Sequence, residues 1–265
     1  MTRIACLQLD PVIGKTTANL QMSAAAIGDA VAAGAQIVVL PELATSGYLF
    51  VDAEEARSTA LRAIDPVFDA WRTAAGDAVV VGGFCELGDD GSLYNSALVI
   101  DRAGVLATYR KTHLWDREKL IFTRGDALPP ILRTPHGVIA VMVCYDLEFG
   151  ELTRRAALDG AEVIVAPVNW PLFPRPDGER PGEVITAMST ARTNRVAVAA
   201  CDRTGVERGQ RWTEGTAIID PDGWVVAAVG PGEGMVLADV DLSVTHEKTF
   251  TEHVHLLDDR RVDLY

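Results

Sequence analysis

Short, nearly unbroken apolar runs recur along this chain, separated by Ala-rich stretches in which polar residues are spaced apart. Residues 4–9 read as a buried strand, and residues 19–33 as a helix that Gly34 stops in the left-handed conformation common at helix ends. Ile37-Val-Val-Leu40 has no polar residue, the pattern of a strand covered on both faces. The same signal returns at residues 79–84, 97–100, 138–143, 163–165, 196–201 and 217–219, with helices predicted at 152–158 and 184–194. Strands alternating with helices predict βαβ units, while Asp90-Gly91 and Asp222-Gly223 predict hairpin turns. The expected fold class is therefore α/β, with a mixed sheet. Residues 171–182, rich in Pro, Gly and charge, read as a long surface loop. No linker or low-complexity block divides the chain, so residues 1–265 are expected to form one domain.

Composition narrows the function classes. Hydrophobic residues make up 48% and charged residues 23% of the 265 positions, an ordinary globular mix that excludes bulk disorder. With 24 Lys+Arg against 37 Asp+Glu the formal charge is −13, which argues against nucleic-acid or anionic-membrane partners. The 4 cysteines, Cys6, Cys85, Cys144 and Cys201, lie far apart and show neither metal-ligand nor disulfide spacing. The first apolar run is too short for a signal-peptide core, and none reaches the roughly 18 residues that cross a bilayer. A soluble, cytoplasmic protein is expected. No phosphate-binding or dinucleotide-binding glycine motif and no serine-hydrolase elbow is present, and Gly230 to Gly234, interrupted by Pro231, reads as a plain turn. His253 and His255 lack a nearby third ligand, so neither metal nor cofactor is expected.

Three polar residues stand at the ends of apolar runs. Glu42 follows the strand at 37–40, Lys111 precedes His113-Leu-Trp115, and Cys144 ends the run at 138–143. In open α/β sheets, functional groups gather where strands finish, so the three could share one crevice. Each also has an ordinary alternative: a small buried thiol, a helix-capping acid and a solvated surface lysine.

The surrounding phrases change that balance. Leu40-Pro-Glu-Leu-Ala-Thr-Ser-Gly-Tyr48, Tyr109-Arg-Lys-Thr-His-Leu114, the Glu118 segment Asp116-Arg-Glu-Lys-Leu-Ile-Phe-Thr-Arg-Gly-Asp126, Val141-Met-Val-Cys-Tyr-Asp146 and the terminal Asp259-Arg-Arg-Val-Asp-Leu-Tyr265 occur in this order. Together they resemble the nitrilase, or carbon–nitrogen hydrolase, superfamily over nearly the whole chain. The resemblance implies a four-layer αββα sandwich and a Glu-Lys-Cys centre with a second Glu, mapped onto Glu42, Lys111, Cys144 and Glu118. It also implies homodimers or larger homo-oligomers, with the tail from Phe250 to Tyr265 reaching a neighbour.

Elementary chemistry fits that set. A free thiol is mostly protonated at neutral pH and needs a cation or a base to act as a nucleophile. Lys111 supplies the cation, and Glu42 can accept the thiol proton and return it to leaving ammonia. The Lys111 ammonium and the Tyr145 N–H are the expected oxyanion donors. Glu118 is implied to hold Lys111 and to contact the substrate nitrogen; its alternative is a surface partner for Arg117 or Lys119. Cys6, Cys85 and Cys201 read as core, and His113 as a structural hydrogen-bonding residue beneath the site.

The expected reaction is hydrolysis of a small aliphatic or ω-amide to carboxylate and ammonia through a thioester. An N-carbamoyl amine or a nitrile are alternative substrates, and an inert scaffold is the alternative of a different class. Nitrilases proper commonly carry Cys-Trp-Glu at the nucleophile, whereas Cys144-Tyr-Asp146 fits amidase-like branches. Substrate contacts are expected from Tyr48, Asn169, Trp170 and Glu148. Relatives that bind carboxylate-bearing substrates carry an Arg at the position of Glu148, so an acid there implies a neutral or cationic tail. Glu148 otherwise caps the helix predicted near Gly150.

Overall fold

The computed structural model describes residues 1–264. Strands β1 (Thr2–Gln8), β2 (Ile37–Val39), β3 (Val79–Leu87), β4 (Leu93–Asp101) and β5 (Gly104–Arg110) belong to one sheet. Strands β6 (Ile131–Thr134), β7 (Gly137–Val141), β8 (Val163–Pro167), β9 (Ala197–Cys201), β10 (Ala217–Ile219) and β11 (Val225–Ala228) form the second. The last long strand, β12 (Gly234–Val240), returns to pair antiparallel with β1. The orders are β12-β1-β2-β3-β4-β5 and β11-β10-β9-β8-β7-β6.

Both sheets have a parallel centre. β1, β2 and β3 run parallel, as do β7, β8 and β9. Helices α1 (Thr16–Ala32), α2 (Ala53–Thr59), α3 (Asp69–Ala75), α4 (Gly150–Leu158) and α5 (Gly182–Asn194) make the crossovers. α1 and α3 pack on the first sheet, α5 on the second, and β1, β2 and β3 face β8 and β9. The result is the helix–sheet–sheet–helix sandwich expected from the sequence.

The apolar runs are explained by this layering. Successive strand residues point to opposite faces. Ile4, Cys6, Ile37, Val39, Val79 and Val81 therefore enter the core between the sheets, while Ala5, Leu7, Val38, Leu40 and Val80 meet the helices. Cys6, Cys85 and Cys201 are buried in these strands. Gly34 closes α1 at φ +87°, and Gly91 and Gly223 turn their hairpins at φ +79° and +88°.

Several elements depart from the sequence expectation. β5 was hidden because it is an edge strand, with Val105 and Leu106 exposed. α2 and α3 are single short stretches of 7 residues, too brief for a helical period to stand out. The strand expected to run to Val143 stops at Val141, because the chain must leave the sheet to place Cys144. Among the described residues no helix is long and apolar enough to cross a membrane. Tyr265, last residue of the terminal phrase, lies outside the described residues.

Candidate active site

Glu42 lies just beyond β2, Lys111 directly after β5, and Cys144 just beyond β7. Their burial is nearly complete, at 0%, 1% and 5% exposure. Lys111 Nζ donates to Glu42 Oε1 and to Glu118 Oε1, each at 2.7 Å. Cys144 senses the charges of Glu42, Lys111 and Glu118, so the four residues form one electrostatic cluster. The structure thus brings together every residue of the implied catalytic set.

Backbone geometry creates this convergence. Leu43 and Cys144 are both in the left-handed region, at φ +48°. A non-glycine residue there costs on the order of 1–3 kcal/mol and persists only where the surroundings enforce it. Next to Leu43 the enforcing neighbour is Gly83 of β3. A Cβ on Gly83 would lie 2.3 Å from Leu43 N and 2.6 Å from Glu42 Cα. Gly83 N–H donates to Pro41 O at 3.1 Å, fastening the same turn. A glycine inside a strand often marks such close backbone approach, and Gly82-Gly83 carried that signal in the sequence.

The hydrogen-bond inventory separates the two glutamates. Glu42 Oε1 accepts from Lys111 and from Asn95 Nδ2, the latter at 2.7 Å. Its other oxygen, Oε2, is buried and finds no donor among the described residues. Glu118 Oε1 accepts from Lys111 and from the Tyr48 hydroxyl at 2.5 Å, while Oε2 accepts from Trp115 N–H at 3.1 Å. Glu118 is therefore buried and anchored, not the surface partner of Arg117 or Lys119.

The protonation states follow from burial and charge. Desolvation raises the Glu42 carboxyl to about 7, although Lys111 pulls the other way. Burial pushes the Cys144 thiol well above its ordinary value, and the Glu42 charge adds to that. Lys111 lowers it only partly, because its single charge already faces two carboxylates. Those carboxylates outweigh desolvation and hold the Lys111 ammonium firmly protonated. The resting site thus holds a neutral thiol beside the Glu42 carboxyl, rather than a thiolate made by the cation alone.

Cys144 opens into a cavity of about 190 Å³ with Tyr145, Asn169, Trp170 and Phe173 on its walls. Tyr145 N–H stands at the start of a short 3₁₀ turn and makes no internal hydrogen bond among the described residues. Asn169 Nδ2 donates to the backbone carbonyl of Glu42 at 2.8 Å, and Asn169 O lies 3.9 Å from Cys144 Sγ. Trp170 is fixed by Asp202, whose carboxylate accepts the Trp170 backbone N–H at 3.0 Å, and by Gly215, which leaves room for the indole. Burial raises the Asp202 carboxyl to about 8, even though backbone N–H groups of Gly215, Trp170 and Arg203 hold its charge.

Tyr48 departs from the expected substrate wall. It lines a neighbouring hollow with Trp212 and Phe50, and its hydroxyl is committed to Glu118. Glu207 pins the Tyr48 backbone, accepting Tyr48 N–H at 2.9 Å and the guanidinium of fully buried Arg203 at 2.8 Å.

Glu148 lines the rim of the Cys144 cavity opposite Glu183 of α5, a residue the sequence reading did not single out. No side chain caps α4, so the helix-capping alternative for Glu148 is not what the fold uses. Partial shielding by the pocket and the charge of Glu183 raise the Glu148 carboxyl above its usual range. Only tertiary structure brings Glu183 here. His113 lies below the site, hydrogen-bonded to Asp146. His253 and His255 sit in a short antiparallel hairpin of residues 249–255 and do not line the cavity.

The chain is similar along its length to known proteins. The carbon-nitrogen hydrolase family profile matches residues 3–249. The chain is 32% identical over 273 residues to a nitrilase from Pyrococcus abyssi, covering 100% of this chain and 99% of that protein. It is 30% identical over 267 residues to 2-oxoglutaramate amidase from Bacillus subtilis, covering 99% and 98%. The solved amidase from Nesterenkonia sp. AN1 superimposes with a TM-score of 0.80 at 26% identity, covering 100% of this chain and 98% of that one. A variant of that amidase shows Michael addition of acrylamide at its active-site cysteine.

Proposed function

Because the chain belongs to the carbon-nitrogen hydrolase family, we propose that it is a cysteine amidase that hydrolyses a small linear amide through a thioester on Cys144. The observation that carries this reading is the free, buried Glu42 Oε2 beside a neutral thiol. Cys144 Sγ attacks the amide carbon while its proton passes to Glu42 Oε2. The oxygen, now negative, is met by the Tyr145 N–H and by the Lys111 ammonium proton left over from its two carboxylate bonds. Such pre-aimed donors act strongly where water is excluded. Collapse breaks the C–N bond, and Glu42 returns the proton so that ammonia departs. Water then adds to the thioester, giving its proton to Glu42, and collapse releases the carboxylic acid and restores the thiol.

Glu118 and Tyr48 hold Lys111 in place throughout. Acyl groups extend along Trp170 and Phe173 toward Glu148 and Glu183, where two like charges without a cation favour a positively charged or neutral tail. The test is ammonia release from a panel of neutral, ω-amino and carboxylated amides, N-carbamoyl amines and nitriles, by the parent enzyme and Cys144→Ala. Amides are expected to turn over, with ammonia and carboxylate in equal amounts, and the variant to be inactive. Parent-like turnover by the variant would end the proposal.

A further inference from the structure

Asp146, two residues past Cys144, is completely buried and has no Lys or Arg partner among the described residues. Its two oxygens instead gather donors from both sides of the site. Oδ1 accepts from Thr112 Oγ1 at 2.8 Å, His113 N–H at 3.0 Å and His113 Nδ1 at 2.8 Å. Oδ2 accepts from the Tyr109 hydroxyl at 2.9 Å and from Val143 N–H at 3.1 Å. Tyr109, Thr112 and His113 flank Lys111, whereas Val143 immediately precedes the left-handed Cys144. His113 is also stacked on Phe149, with ring centroids 3.6 Å apart.

The geometry points to Asp146 as a positioning residue that fixes the distance between the Cys144 sulfur and the Lys111 ammonium. One carboxylate closes two otherwise separate segments, the end of β5 and the end of β7, into a single unit. It touches neither the thiol nor the cavity, so it acts through its neighbours. Carboxylate chemistry is required for this. An asparagine of the same size offers one acceptor oxygen, and its NH₂ would face hydrogen-bond donors in either orientation. Val143 or the His113 loop would lose its tie, and Cys144 would be free to leave the left-handed conformation.

This inference rests on the reading of Cys144 as nucleophile, and the experiment keeps the two apart. Asp146→Asn, Thr112→Val and Thr112→Ser are compared with the parent for kcat, KM, melting temperature and iodoacetamide labelling of Cys144. Labelling is read by mass spectrometry, with Cys144→Ala as the blank. Misplacing reacting groups by about 1 Å costs on the order of 100-fold in rate. Asp146→Asn is therefore expected to lose about 100-fold in kcat with KM changed less than about threefold. Thr112→Val, which removes one donor, should lose kcat by a smaller factor, and Thr112→Ser should regain it. Cys144 labelling should slow in the same order. Should Asp146→Asn fail to fold, the Thr112 pair decides. Variants that melt earlier but keep parent kcat and labelling rates would overturn the inference. If the parent hydrolyses no amide, the amidase reading fails, and the labelling series still decides whether Asp146 positions the thiol.

Discussion

Glu42 and Glu148 are carboxylates of one site with opposite surroundings. At the buried centre, Lys111, Asn95, Tyr48 and Trp115 each donate to Glu42 or Glu118, and of the four oxygens of these two carboxylates only Glu42 Oε2 has no donor among the described residues. At the rim, Glu148 and Glu183 have neither hydrogen-bond nor ion-pair partners among the described residues, and Glu148 is exposed. The centre is fixed by satisfied polar groups in a dry environment, where each lost partner leaves a costly unpaired charge. The rim is solvated and its charges are screened, so it can bias the choice of substrate without being needed for the reaction.

That contrast can be broken most severely at the centre. Glu42→Gln keeps the shape of the carboxylate and an acceptor for Lys111, but not the base. General-base catalysis supplies roughly 100- to 10,000-fold, so kcat in steady-state assays should fall within that range. Gly83→Ala tests the same centre through the backbone. A new Cβ 2.3 Å from Leu43 N must displace the Glu42 turn, and kcat should drop by about 100-fold while circular dichroism still reports the folded sandwich.

A pH profile sharpens the comparison further. In the proposed mechanism activity needs ionised Glu42, whose carboxyl burial raises to about 7. Below that value the base is protonated, so kcat/KM should fall tenfold per pH unit on the acid side and level off above it. An acid limb near the ordinary glutamate value of about 4.3 would show that Glu42 is not the base.

The smallest effects belong to the rim. Glu148→Gln and Glu183→Gln should each lower the preference for ω-amino amides over neutral ones by roughly fivefold, the scale of one exposed charge pair. Added salt should shrink the preference of the parent enzyme in the same direction. Equal kcat/KM ratios in parent and variants would remove the rim from substrate choice.

How much of this was legible in the sequence depended on local versus tertiary signals. The central strands could be read because both faces are covered, leaving apolar residues at every position of β2 and β8. Edge strand β5 could not, since its apolar residues Val105 and Leu106 are exposed and only Tyr109 is fully buried. Glu42, Lys111, Glu118 and Cys144 were readable from the phrases around them. Asn95 lies inside β4 among apolar neighbours, and only the fold turns its amide onto Glu42. Glu183 stands on a helix far along the chain from Glu148, so no spacing could link them. Asp146 was visible beside the nucleophile, but its task depends on donors from another sheet.

The central claim is that Glu42 takes the proton of a neutral Cys144 thiol. Its most direct test is the pH dependence of Cys144 alkylation by iodoacetamide, compared between the parent and Glu42→Gln. The parent rate should rise through pH about 7, following Glu42, whereas the variant should lose that limb and follow only the ionisation of the thiol itself, which burial still raises. Superimposable profiles for the two proteins would contradict the account.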